Sequence, residues 1–61
     1  MNQFEQAAQR AINIFRVSHD KEKAARFISA EFDLVAYVSR GKVWASGNNE
    51  QGKYESRVIF N

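Results

Sequence analysis

The sequence predicts an α+β fold in which two N-terminal helices precede a small antiparallel three-stranded meander. An apolar stripe of helical period runs from Phe4 to Phe15, and a capping run at Ser18–Asp20 opens a second stripe. Beyond residue 33, short runs of β-branched and aromatic residues are separated by turns that contain glycine.

In the first helix, Phe4, Ala7, Ala8, Ala11, Ile12, Ile14 and Phe15 fall within an arc of about 160° at 100° per residue. Glu5, Gln6, Gln9, Arg10, Asn13 and Arg16 fill the rest of the circle, and neither proline nor glycine interrupts. The spacing predicts a helix over residues 3–17. Its polar face holds only two arginines, which marks the stripe as core-facing rather than membrane-lying. In the second helix Ser18 or Asp20 is the cap, Asp20 and Glu22 suit the positive end of the dipole, and Ala24, Phe27 and Ile28 form the inner face. Extending that helix to Val38 would set Glu31 inside the apolar stripe, so it is predicted to end near residue 30.

The run "DLVAYV" reads as the first strand, with Ser39-Arg40-Gly41 as a three-residue hairpin loop and Gly41 left-handed. "KVWAS" is the returning strand, "GNNEQG" the second turn and "KYESRVIF" the third strand. In that last strand Tyr54, Ser56, Val58 and Phe60 alternate with Lys53, Glu55, Arg57 and Ile59. The competing architecture is a winged helix-turn-helix, with residues 32–40 as a third helix and the remaining hairpin as a wing. Its recognition helix would present mainly Asp33, Ala36, Tyr37, Ser39 and Arg40, and its wing tip carries a glutamate and no base. Both are poor equipment for reading DNA, so the meander is preferred.

Composition narrows the function classes. Sixty-one residues make a single small domain (1–61), which buries only about 60% of its unfolded surface and therefore gains from a partner. There is no cysteine, and His19 is the only histidine, so no disulfide and no histidine–cysteine metal site is expected, nor any cofactor. The longest apolar run is Leu34 to Val38, far short of the ~18 residues of a membrane span. The N-terminus lacks the basic and apolar segments of a secretory signal, so a cytoplasmic protein is expected. Net charge is +2. Residues 1–30 carry five basic groups against three acidic, and residues 31–61 carry four against four. That balance permits phosphate binding without demanding it.

Catalytic groups are scarce. Ser18-His19-Asp20 are adjacent in sequence and cannot reach triad geometry, Glu31 and Asp33 have no implied pocket, and the three glycines punctuate strands rather than cradle a phosphate. The expectation is a protein that is not an enzyme and has no small-molecule substrate. A three-residue loop would pair Val38 with Lys42, Tyr37 with Val43, Ala36 with Trp44 and Val35 with Ala45, leaving both faces of the hairpin apolar. Two short helices cover one face, so the other is expected to meet a partner.

The function read from these features is a small regulatory protein, an inhibitor or adaptor, acting through protein–protein contacts of its sheet with another protein or a second copy of itself. The contact residues are Tyr37, Arg40, Lys42 and Trp44, supported by Ile59. The alternative is a nucleic-acid-binding regulator. It would use the winged-helix arrangement, with Arg10, Arg16, Lys23 and Arg26 on phosphates, or a sheet platform of Tyr37, Trp44 and Tyr54 beside Arg40, Lys42, Lys53 and Arg57.

Overall fold

The computed structural model describes residues 2–61 and shows the α+β meander. Helix α1 (Gln3–Ser18) and helix α2 (Lys21–Glu31) are followed by strands β1 (Val35–Ser39), β2 (Lys42–Asn48) and β3 (Tyr54–Phe60), in sheet order β1-β2-β3. Residues 35–39 are a strand, which rules out the winged-helix alternative. Among the described residues no helix is long and apolar enough to cross a membrane.

Each helix starts on a side chain that accepts first-turn amides. Asn2 accepts from the Glu5 N–H, and Asp20 accepts from the N–H groups of Glu22 and Lys23. Ser18, the other candidate cap, instead donates its hydroxyl to the Ile14 carbonyl. Helix α1 ends on His19 at φ 55°, whose amide donates to the Phe15 carbonyl. Helix α2 ends one residue later than its pattern suggests, because Glu31 lies outside the core and is held by Arg10.

The hairpin loop between β1 and β2 differs from the sequence expectation. It has two residues, Arg40 and Gly41, both with positive φ (56° and 75°), the requirement of a type I′ turn. Register therefore runs Ser39–Lys42, Val38–Val43, Tyr37–Trp44, Ala36–Ala45 and Val35–Ser46, one residue away from the three-residue-loop pairing. The slip moves every side chain of β1 relative to β2. Ala36, Val38, Val43 and Ala45 turn inward together, while Val35, Tyr37, Lys42, Trp44 and Ser46 share the opposite face. The hairpin thus has one small-aliphatic face and one aromatic–polar face, not two equivalent apolar ones.

β3 departs from strict alternation as well. A bulge between the Val43–Phe60 and Trp44–Val58 pairs leaves Ile59 as the extra residue. Ile59 is buried on the same side as Glu55 and Arg57, and the bulge turns Phe60 onto the core as well, its ring 4.9 Å from that of Phe15. Ile59, expected among the partner contacts, is thus a core residue.

The helices lie on the inner face of the sheet. Phe4, Ala7, Ala11 and Ile14 of α1, Ala24, Ala25 and Ile28 of α2, with Leu34, Val43, Ala45 and Ile59, form one buried cluster. Five of these eleven residues are alanine, so the backbones approach closely and a single methyl group matters. The closest approach is at Gly47: a Cβ there would stand 2.5 Å from Leu34 Cδ2 and 3.0 Å from the Asp33 carbonyl oxygen. Overpacking of this kind costs about 1–3 kcal/mol. Gly47→Ala is expected to lower the urea midpoint accordingly, and an unchanged midpoint would show that Leu34 has room to swing aside.

Candidate functional site

The outer face of the sheet is left uncovered by the two helices, which pack on the inner face. In rows across the sheet it carries Ser39 and Lys42, then Tyr37, Trp44 and Val58, then Val35, Ser46 and Ser56, then Asn48 and Tyr54. Val35 and Tyr54 are 62% and 70% exposed, and Tyr37 and Val58 are also open to solvent. Four of the six exposed large apolar residues among those described therefore lie on this face, which separates it from ordinary scattered exposure. None of its ten residues is acidic.

Trp44 is central: Tyr37 stands across from it on β1 and Val58 on β3. Its indole Nε1 donates to the Ser39 carbonyl at 3.2 Å, which pins the ring against the face and leaves it half-buried. Below it, the Ser46 and Ser56 hydroxyls share a hydrogen bond of 2.6 Å across β2 and β3. A flat surface pinned in this way loses little conformational freedom when something docks on it.

At the upper end of the face stands the Arg40–Gly41 turn. Arginine is a poor choice for a left-handed position, where asparagine or glycine is favoured by about 1 kcal/mol or more. Among the described residues His19, which ends α1, is the other non-glycine residue with positive φ. The turn is also tied to the helices, since the Lys21 ammonium donates to the Gly41 carbonyl and lies 5.8 Å from the centroid of the Phe60 ring.

The structure thus places Tyr37, Lys42 and Trp44 on one face with Val35, Tyr54 and Val58, and Arg40 in the turn at its end. Val35 and Val58 were hidden from sequence reasoning by the register. The polar residues carry the signal that reveals it: with a two-residue turn, Ser39, Lys42, Ser46, Asn48 and Ser56 all fall on one face. Arg57, in contrast, is not part of the platform. It lies on the inner side, 4.7 Å above the Phe4 ring and 2.7 Å from Glu55.

The four helical cations do not form one patch. Arg10 makes a two-pronged pair with Glu31, at 2.9 and 3.0 Å, so its charge is already matched. Lys23 lies 6.0 Å from the Phe27 ring centroid. Arg10 and Lys23 line a shallow groove between the helices with Val17 and Phe27, and Arg16 and Arg26 are exposed outside it. Among the described residues no group of three histidine, aspartate or glutamate side chains is placed to hold a metal ion. No protein-family model, curated protein or solved structure matches this chain.

Two expectations follow. Arg40→Asn should stabilise the fold by about 1 kcal/mol, read as a higher urea midpoint at unchanged slope; a lower midpoint would show that the arginine side chain itself holds the turn. The Glu31 carboxyl is held below the ordinary glutamate range, first by the Arg10 hydrogen bond and then by its charge, against desolvation. A depressed folded-state pKa adds stability above the unfolded-state value that is lost as pH falls through the folded-state value. A carbon-detected NMR titration should place Glu31 below ordinary glutamates and return it to them in Arg10→Ala; no change in that variant would make the ion pair incidental.

Proposed function

We propose that this chain is a small non-enzymatic binding protein, an inhibitor or adaptor, that docks another protein on the outer face of its sheet. One observation carries the reading: Val35, Tyr37, Trp44, Tyr54 and Val58 are gathered on a face that the chain's own helices leave bare. Tyrosine, tryptophan and arginine are the usual energetic centres of protein interfaces, and here Tyr37, Trp44 and Arg40 lie at the upper half of the face. Serine and asparagine between them supply adaptable hydrogen bonds. A partner fitted to this face offers apolar side chains to the Tyr37–Trp44–Val58 row and a carboxylate to Arg40 and Lys42.

A second reading has its own support. Tyr37, Trp44 and Tyr54 share one face that lacks any carboxylate and has Lys42 on it, which suits the stacking of single-stranded nucleic acid. The protein reading ranks first because Arg57 faces inward, Arg10 is paired, and Lys42 is the one cation among the ten residues of the face itself, with Arg40 and Lys53 in the turns.

The test pairs two measurements. Anisotropy titrations against single-stranded and duplex oligonucleotides at about 50 and 200 mM salt should show weak or no binding; tight, steeply salt-dependent binding of the single strand would favour the second reading. Affinity capture from host extract should retain a protein on the wild-type chain and on Val17→Ser, which alters only the helical side. Tyr37→Ala and Arg40→Ala should each weaken that capture by roughly tenfold or more while keeping the fold. A captured protein indifferent to both substitutions would place the docking surface elsewhere.

A further inference from the structure

We propose that two copies of this chain associate through the free edge of β3, antiparallel about Ser56, so that their sheets become one continuous sheet. This interface adjoins the outer-face docking surface and shares Tyr54 and Val58 with it, but neither proposal depends on the other.

The two edges of the sheet are treated differently. Ser39 and Lys42 flank the two-residue turn, so the backbone groups of Lys42, Trp44 and Ser46 face β1, and those of Val43, Ala45 and Gly47 face β3. Arg57 and Glu55 receive the latter set. The N–H and C=O groups of Tyr54, Ser56 and Val58 therefore point away from the sheet. On the β1 edge, the corresponding groups of Ala36 are both taken by the Ser29 hydroxyl of α2, at 2.8 and 3.3 Å. Helix α2 thus caps the β1 edge at Ala36, whereas among the described residues no side chain is found on the outward groups of Tyr54, Ser56 and Val58.

An open edge is normally protected by inward-pointing charges or a bulge, and β3 has both, in Glu55, Arg57 and the extra residue Ile59. These devices repel most strands but match a second copy of this one. Antiparallel pairing centred on Ser56 sets Glu55 opposite Arg57 of the second copy, twice by symmetry, on the inner side. On the outer side it sets Tyr54 opposite Val58, also twice, a pairing of aromatic with β-branched that favours sheets. Centring on Glu55 or Arg57 sets a like charge directly opposite its own copy, centring on Tyr54 runs off the start of the strand, and centring on Val58 runs into the bulge. The sequence thus admits one full-length register, and a two-fold arrangement closes on itself.

Helix α1 lies beside the seam, where Ala8, flanked by Phe4 and Glu5, lines a groove with Arg57, Val58 and Ile59. Its symmetry mate passes the same point, and a small side chain there allows close helix approach. Joined in this way, Tyr54 and Val58 of both copies meet, and the two outer faces become one surface.

Sedimentation velocity over a concentration series tests the interface. The wild-type chain is expected to show a concentration-dependent dimer. Glu55→Arg and Arg57→Glu should each weaken it by about tenfold or more, since each sets like charges opposite one another twice. An equimolar mixture of those two variants should restore it, because every cross-strand pair is then opposite in sign. Ser56→Pro removes an outward N–H while sparing the backbone hydrogen bonds between β2 and β3, though not the Ser46–Ser56 hydroxyl bond, and should abolish the dimer. Far-UV circular dichroism checks the fold of each; should Arg57→Glu unfold through loss of its contact with Phe4, Glu55→Arg and Ser56→Pro decide alone, since both leave Arg57 in place. A chain that stays monomeric at its highest soluble concentration would overturn the proposal. So would a dimer indifferent to Glu55→Arg and Ser56→Pro.

Discussion

Two successive residues with positive φ, Arg40 and Gly41, close β1 onto β2 with no residue to spare. Because side chains alternate along a strand, the length of this turn decides which half of the hairpin faces the helices. With two residues, the small aliphatic set Ala36, Val38, Val43 and Ala45 turns inward, where the alanine-rich helices need thin partners. The same turn sends Tyr37 and Trp44 outward. A third loop residue would trade one set against the other on β1, burying Tyr37 under helices that have no space for a ring. The strain held at Arg40 is therefore matched by complementarity across the whole core.

The thinness of that core explains the rest of the architecture. Alanines on both helices let α1 and α2 settle near each other and near the sheet, so two short helices suffice for its inner face. At Gly47 the approach is closer still, and Leu34 occupies the space where a side chain would be. Charges are kept at the margins of this layer. Arg57 lies over the Phe4 ring and pairs with Glu55, and Arg10 pairs with Glu31 where α1 and α2 run side by side. Such exposed pairs contribute little to stability and serve more to set which surfaces remain electrically open. What remains open is the outer face, without a carboxylate.

Much of this was legible in the residues. Both helices announced themselves through period and caps, and the three strands through their β-branched and aromatic runs. The winged-helix alternative falls to the same signal, since "VAYV" prefers to be extended. Register was harder to read, because Ser39-Arg40-Gly41 fits a three-residue loop as well as Arg40-Gly41 fits a two-residue one, and an arginine at a left-handed position argues against the latter. The bulge at Ile59 was invisible for a similar reason: "RVIF" offers three apolar residues in a row, and only the contact of Phe60 with Phe15 determines which ones turn inward. Ring size and position in the chain mark Tyr37 and Trp44 in either register, although the three-residue loop places them on opposite faces and the structure places them on one.

The placement of Trp44 has one more consequence. It is the only tryptophan in the chain, and it sits at the centre of the outer face rather than in the core, its indole tied to Ser39 and one side open to solvent. The molecule therefore carries a built-in optical reporter at the middle of its uncovered sheet face. Its emission responds to whatever lies on the sheet and only secondarily to the packing of the helices beneath. Occupancy of that face can be followed in the unlabelled protein, with the tyrosines beside it as donors of excitation energy.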